Sequence, residues 1–80
     1  MMDFRTQVET AAGLVVFSFV RIYTSRGVIY FVSATGKEIR HHFHMQERAG
    51  TWRIVPAPKP PDWILQYEEQ LAQAIKENHT

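Results

Sequence analysis

The sequence predicts an α+β fold: an antiparallel four- to five-stranded β-meander with one C-terminal amphipathic helix packed on one sheet face. Three observations lead there. Runs rich in Val, Ile, Phe and Tyr recur between short Gly-containing connections over the first two thirds of the chain. A proline-rich stretch follows them. Beyond it the apolar residues switch to helical spacing.

The elements follow in order. Residues 4–10 alternate, with Phe4, Thr6, Val8 and Thr10 on one side and Arg5, Gln7 and Glu9 on the other. That pattern reads as an edge strand. Ala11-Ala12-Gly13 is read as a turn, a bulge or a straight continuation of the strand. Residues 14–24 form the clearest strand, because β-branched and aromatic side chains suit a pleated, half-buried surface. Ser25-Arg26-Gly27 is a tight turn, with Gly27 available for positive φ. Strands follow at 28–34 and 38–47, separated by Thr35-Gly36-Lys37. A last short strand covers 52–55, after a hairpin connection at Arg48-Ala49-Gly50-Thr51. Short loops between successive strands imply antiparallel pairing.

Residues 56–61 contain four prolines. Proline cannot donate to a sheet ladder, so this stretch ends the sheet and acts as a stiff connector. Pro58 and Pro61 have the minimal PxxP spacing, but a structural linker explains them as well. Asp62 is expected as a helix N-cap, and one helix is expected over 62–77. Trp63, Ile64, Tyr67, Leu71 and Ile75 should form its buried face.

Eighty residues make one domain, 1–80. A chain this short buries only about 60% of the surface its unfolded form exposes. Cysteine is absent, which removes disulfides and thiolate metal sites from the means of compensation. Oligomerisation remains. The most apolar stretch, 11–20, is shorter than the about 20 residues a membrane helix needs. It also lacks the flanks of a signal peptide. The expectation is a soluble, cytoplasmic protein that does not bind membranes.

Formal net charge is +1, too small for a strong long-range field. It is unevenly placed. Residues 1–61 carry eight Lys/Arg and four Asp/Glu, and residues 62–80 carry one Lys and four acids. The sheet is mildly basic and the helix mildly acidic.

The central strands break the usual one-face-apolar rule for antiparallel sheets. Leu14, Val16, Val20 and Ile22 alternate with Val15, Phe17, Phe19 and Tyr23, and both sets are apolar. Strand 28–34 repeats the pattern. A helix of 16 residues is roughly 24 Å long and covers one face of a small sheet, not two. The second face must close into a barrel, pack on a second copy or bind another molecule, and a homodimer is the expected solution. Val15, Phe17, Phe19, Tyr23, Ile29 and Phe31 are the candidate interface residues.

Other chemistry is sparse. His42 and His44, at i and i+2 on a strand, are the only candidates for a metal pair. Arg40 on the same face opposes a cation, and solvated histidines are the simpler reading. No nucleophile elbow, phosphate loop or dinucleotide fingerprint occurs. Glu68-Glu69 are neighbours on a helix rather than an acid–base pair. No enzyme activity and no cofactor are expected. The leading expectation is a small non-catalytic interaction or ligand-binding domain. The alternative is single-stranded nucleic-acid binding, in which Trp52 stacks on bases while Arg21, Arg40 and Arg53 meet phosphates.

The segment from Gly50 to Ile75, a closing strand followed by a helix opened by Pro61 and Trp63, resembles the family of dimeric transcriptional coactivators that bind single-stranded DNA. That family has four antiparallel strands and then a helix. The resemblance covers about half the chain, and the family's basic, serine-rich tail has no counterpart here. It implies a dimer with a nucleic-acid-binding sheet.

Overall fold

The computed structural model of the chain describes residues 3–11 and 13–78. Five strands form one antiparallel sheet in sequence order. They are β1 (Asp3–Thr10), β2 (Gly13–Thr24), β3 (Gly27–Gly36), β4 (Ile39–Arg48) and β5 (Thr51–Ile54). Two helical segments follow, α1 (Asp62–Leu65) and α2 (Glu68–Asn78). The α+β meander read from the sequence is thus the observed fold. Ala12 and residues 79–80, expected in a turn and in a frayed end, lie outside the described residues.

Each hairpin is closed by a two-residue turn, so each register is fixed by the one before it. Thr24 pairs with Gly27, which sets Ile22 opposite Ile29, Val20 opposite Phe31 and Phe19 opposite Val32. The Thr24 hydroxyl donates to the Gly27 carbonyl at 2.7 Å and accepts the Arg26 N–H at 3.1 Å. Gly27 sits at φ +115°, where a side chain would be strained. The β1–β2 hairpin closes in the same way, with the Thr10 hydroxyl donating to the Gly13 carbonyl at 2.7 Å. A Thr-x-x-Gly pattern thus closes two hairpins.

Register decides which apolar set is the core. Val15, Phe17 and Phe19 of β2 share a face with Tyr30, Val32 and Ala34 of β3 and with Phe43 and Met45 of β4, and all are fully buried. Phe4 and Val8 of β1 and Trp52 and Ile54 of β5 extend this face. Phe4 stacks on Phe19, with ring centroids 4.5 Å apart. Tyr30 meets Trp52 edge-on at 5.2 Å. Ile64, Leu71 and Ile75 belong to the same buried cluster. The C-terminal segment meets the sheet at β5, where the Ile54 N–H donates to the Glu68 carboxylate at 2.8 Å.

Two details of the helix differ from expectation. The predicted single helix over 62–77 is divided at Gln66-Tyr67. There the Tyr67 N–H bonds to the Ile64 carbonyl three residues back, tightening the turn before α2 resumes with Leu71 N–H to Tyr67 O. The N-cap is Pro61 rather than Asp62, with no side-chain capping bond. Asp62 begins the helix, where its charge suits the N-terminal dipole, and pairs with Lys59 at 3.6 Å.

A candidate binding surface on the outer sheet face

The sheet face opposite the core is built by the alternate residues of each strand. Across its centre run Val16, Val20 and Ile22 of β2 beside Ile29 and Phe31 of β3. Val20 and Ile22 retain 37% and 36% exposure, and Leu14 beyond them 52%. These exposures are high for large aliphatic side chains clustered in one place. Ser18 and Ser33 face each other within the apolar strip.

The strip has two unlike flanks. On the β4 side stand Arg40, His42 and His44, opposite Thr35, Ser33 and Phe31. Phe31 lies against both imidazoles, stacked on His42 at 5.7 Å with a 9° interplanar angle and tilted against His44 at 5.1 Å. The Ser33 hydroxyl is 3.1 Å from His42 Nδ1, which orients that ring. On the β1 side stand Asp3, Arg5, Gln7 and Glu9, all exposed. One flank is thus cationic or neutral, and the other mixes acid and base.

The structure divides the interface candidates named from the sequence between two faces. Ile29 and Phe31 lie on the outer face. Val15, Phe17 and Phe19 do not: they are fully buried in the core and have no surface to offer a partner. Their place on the outer face is taken by Val16, Val20 and Ile22. The physical reason is the two-residue turn after Thr24, which sets odd positions of β2 beside even positions of β3. Tyr23 has the core-side parity but sits at the sheet's open end, 72% exposed, 3.4 Å from Arg21.

The basic and aromatic candidates divide likewise. Arg40 and Arg53 are on the outer face, although Arg53 also pairs with Glu68 at 3.6 Å. Arg21 lies on the core side. Its Nε donates to the Tyr30 hydroxyl at 2.9 Å, and its guanidinium lies 5.6 Å from the Tyr30 ring centroid. The hydrogen bonds it donates to Tyr23 and then Tyr30 hold its pKa above the ordinary arginine value. Trp52, 7% exposed, is core and not a stacking platform. A nucleic-acid surface using all four residues together is therefore not assembled.

His42 and His44 are not joined by further ligands. Among the described residues no group of three His, Cys, Asp or Glu side chains converges. His41 faces the other way and meets Trp63 edge-on at 6.1 Å. An open groove of about 590 Å³ runs between β5 and α2, where Glu47, Glu68 and Glu69 mix with Arg53 and Lys76. Glu68 is already engaged by Ile54 and Arg53. Among the described residues no helix is long and apolar enough to cross a membrane.

No family model, curated protein or solved structure matches the chain. The resemblance to the coactivator family therefore gains no support from comparison.

Proposed function

We propose that this chain is a small non-catalytic interaction module whose outer sheet face is its binding surface and whose partner there is a second copy of itself. The observation that carries this reading is the uncovered strip Val16, Val20, Ile22, Ile29 and Phe31. Desolvating such a strip is favourable by about 25 cal/mol per Å² of apolar area, and an 80-residue chain without cysteine has few other means of adding buried surface.

The strand order defines a particular self-contact. Consider a two-fold axis parallel to the strands, running between β2 and β3 in the plane separating two stacked sheets. It sets β2 of each copy over β3 of the other, and β1 over β4. Val20 then meets Phe31 of the second copy, Asp3 meets His44, Arg5 meets His42, and Gln7 meets Arg40. An isologous interface of this kind is self-complementary. A four-strand face seven residues long covers roughly 19 by 23 Å, about 440 Å² on each copy, which is the size of a weak, reversible interface. The lack of cysteine suits a cytoplasmic setting.

The test is molar mass by light scattering after size exclusion, at low and high salt. A mass of two chains or more that persists in high salt is expected, because apolar burial is not screened. A monomer at all accessible concentrations would overturn the self-pairing.

One observation favours single-stranded nucleic-acid binding as an alternative. Phe31, His42, His44 and Arg40 place flat rings and a cation together on the outer face. If it held, oligonucleotide affinity would fall steeply with salt, and no measurable binding at low salt would end it.

A further inference from the structure

The free edge of β1 is a surface distinct from the outer face. β1 is eight residues long, lies at the margin of the sheet and pairs on one side only, with β2. Its turn is closed by the Thr10–Gly13 pair. In an antiparallel ladder the closing pair of a two-residue turn is hydrogen-bonded, and every second residue away from it is too. Thr10, Val8, Thr6 and Phe4 therefore spend their backbone groups on β2. Asp3, Arg5, Gln7 and Glu9 point their N–H and C=O groups outward from the sheet. The same rule applied to β5 predicts an outward N–H at Ile54, and that N–H is the one Glu68 caps. Among the described residues no strand pairs with β1 on its outer side.

Long open edges are hazardous, and folded proteins normally blunt them with proline, a bulge or an inward-pointing charge. β1 has no proline, bulge or inward-pointing charge, its register with β2 is unbroken from Asp3 to Thr10, and the blunting feature it has is the exposed charge of Asp3, Arg5 and Glu9. What it does carry is a charge pattern that selects one pairing. We propose that the β1 edge is a second self-association surface, on which β1 of another copy adds antiparallel with Gln7 on the two-fold axis.

The register follows from charge. Hydrogen-bonded pairing across the edge must join the outward residues, Asp3, Arg5, Gln7 and Glu9. Centred on Gln7, it sets Arg5 opposite Glu9 of the second copy, twice, with the two Gln7 side chains facing each other. Centred on Thr6, it sets Asp3 opposite Glu9. Centred on Arg5 or on Glu9, it sets like charges opposite each other. Centred on Val8, it brings no opposite charges together. Directly opposed like charges destabilise a sheet pair and opposite charges support it. Centred on Phe4, it sets Asp3 opposite Arg5 but joins only residues 3–5 of β1. The Gln7 register is the one that pairs opposite charges without opposing like ones over most of the strand. Among the described residues neither Arg5 nor Glu9 belongs to an ion pair within the chain.

This contact does not depend on the outer-face contact, and the two are separable by variant. Phe31→Asp removes the face contact and leaves the edge. Gln7→Pro removes the edge and leaves the face, because the residue 7 N–H points away from β2 and proline there spares the β1–β2 ladder.

The direct experiment is amide hydrogen exchange on the native chain across a dilution series. The Arg5, Gln7 and Glu9 amides should be protected at high concentration and become unprotected on dilution, while the Thr6 and Val8 amides stay protected throughout. In the Phe31→Asp variant the same protection should persist, and light scattering should give twice the chain mass. Adding Gln7→Pro should return that variant to monomer. Arg5→Glu should raise its dissociation constant roughly tenfold, and Arg5→Glu with Glu9→Arg should restore it. Unprotected Arg5, Gln7 and Glu9 amides at every concentration would overturn the proposal. So would failure of the charge-swapped double variant to restore association.

Discussion

Val20 and Phe31 lie directly opposite each other on β2 and β3, on the sheet face that the core leaves uncovered. One residue earlier on β2, Phe19 is fully buried against Val32. A single step along a strand thus separates the core from the proposed binding surface.

Phe31→Asp should therefore abolish face-to-face association while leaving the fold intact, because the charge remains on a solvent-facing surface in the monomer. Phe17→Ala should do the opposite. It removes a fully buried ring and should cost about 3–5 kcal/mol of folding stability. Molar mass and urea unfolding of the two variants separate the roles.

Glu68 should matter more than its place on a helix surface implies. Its carboxylate accepts the Ile54 N–H at 2.8 Å and lies 3.6 Å from the Arg53 guanidinium. Glu68→Ala leaves that edge N–H without its partner and should destabilise the domain by about 1–2 kcal/mol. Glu68→Gln, which keeps an acceptor oxygen, should lose less. Glu69→Ala, on the neighbouring exposed position, is the control. Urea midpoints compare all three.

The β4–β5 turn leaves room for improvement. Ala49 and Gly50 both have positive φ, 52° and 81°, as a type I′ hairpin requires. Alanine is poorly suited to the first position, whereas asparagine tolerates it. Ala49→Asn creates an Asn-Gly turn and should raise stability by about 0.5–1 kcal/mol, read as a higher thermal midpoint.

The second functional reading makes its own distinction. If the outer face binds single-stranded nucleic acid, Arg40→Ala should weaken binding, and Arg21→Ala should leave it unchanged once folding is controlled for. Arg21 is engaged on the core side by Tyr30 and Tyr23. Fluorescence anisotropy with a labelled oligonucleotide at low salt measures both.

The meander was legible because its signals are local. Gly27 and Gly50 mark turns by themselves, and the β-branched runs between them leave no helical alternative. The choice of face was less legible for β2, because Phe17 and Val16 are both apolar and local pattern cannot rank them. What ranks them is register: the pair Thr24–Gly27 fixes odd positions of β2 beside even positions of β3. Counting outward from that turn identifies Val20 and Ile22, rather than Phe17 and Phe19, as the neighbours of Phe31 and Ile29. The break at Gln66-Tyr67 was not legible, since Trp63, Ile64, Tyr67 and Leu71 satisfy helical spacing across it. The bond from Ile54 to Glu68 joins residues fourteen positions apart, a distance at which local spacing carries no information.

The most direct test of the outer-face account is methyl and amide NMR of the native chain over a dilution series. The account predicts that the Val16, Val20, Ile22 and Ile29 methyl signals shift with concentration, together with the Phe31 ring. The buried Val15, Val32 and Ile64 methyls should stay fixed. Outer-face signals that do not move while the chain self-associates, or shifts confined to the β5–α2 groove, would contradict it.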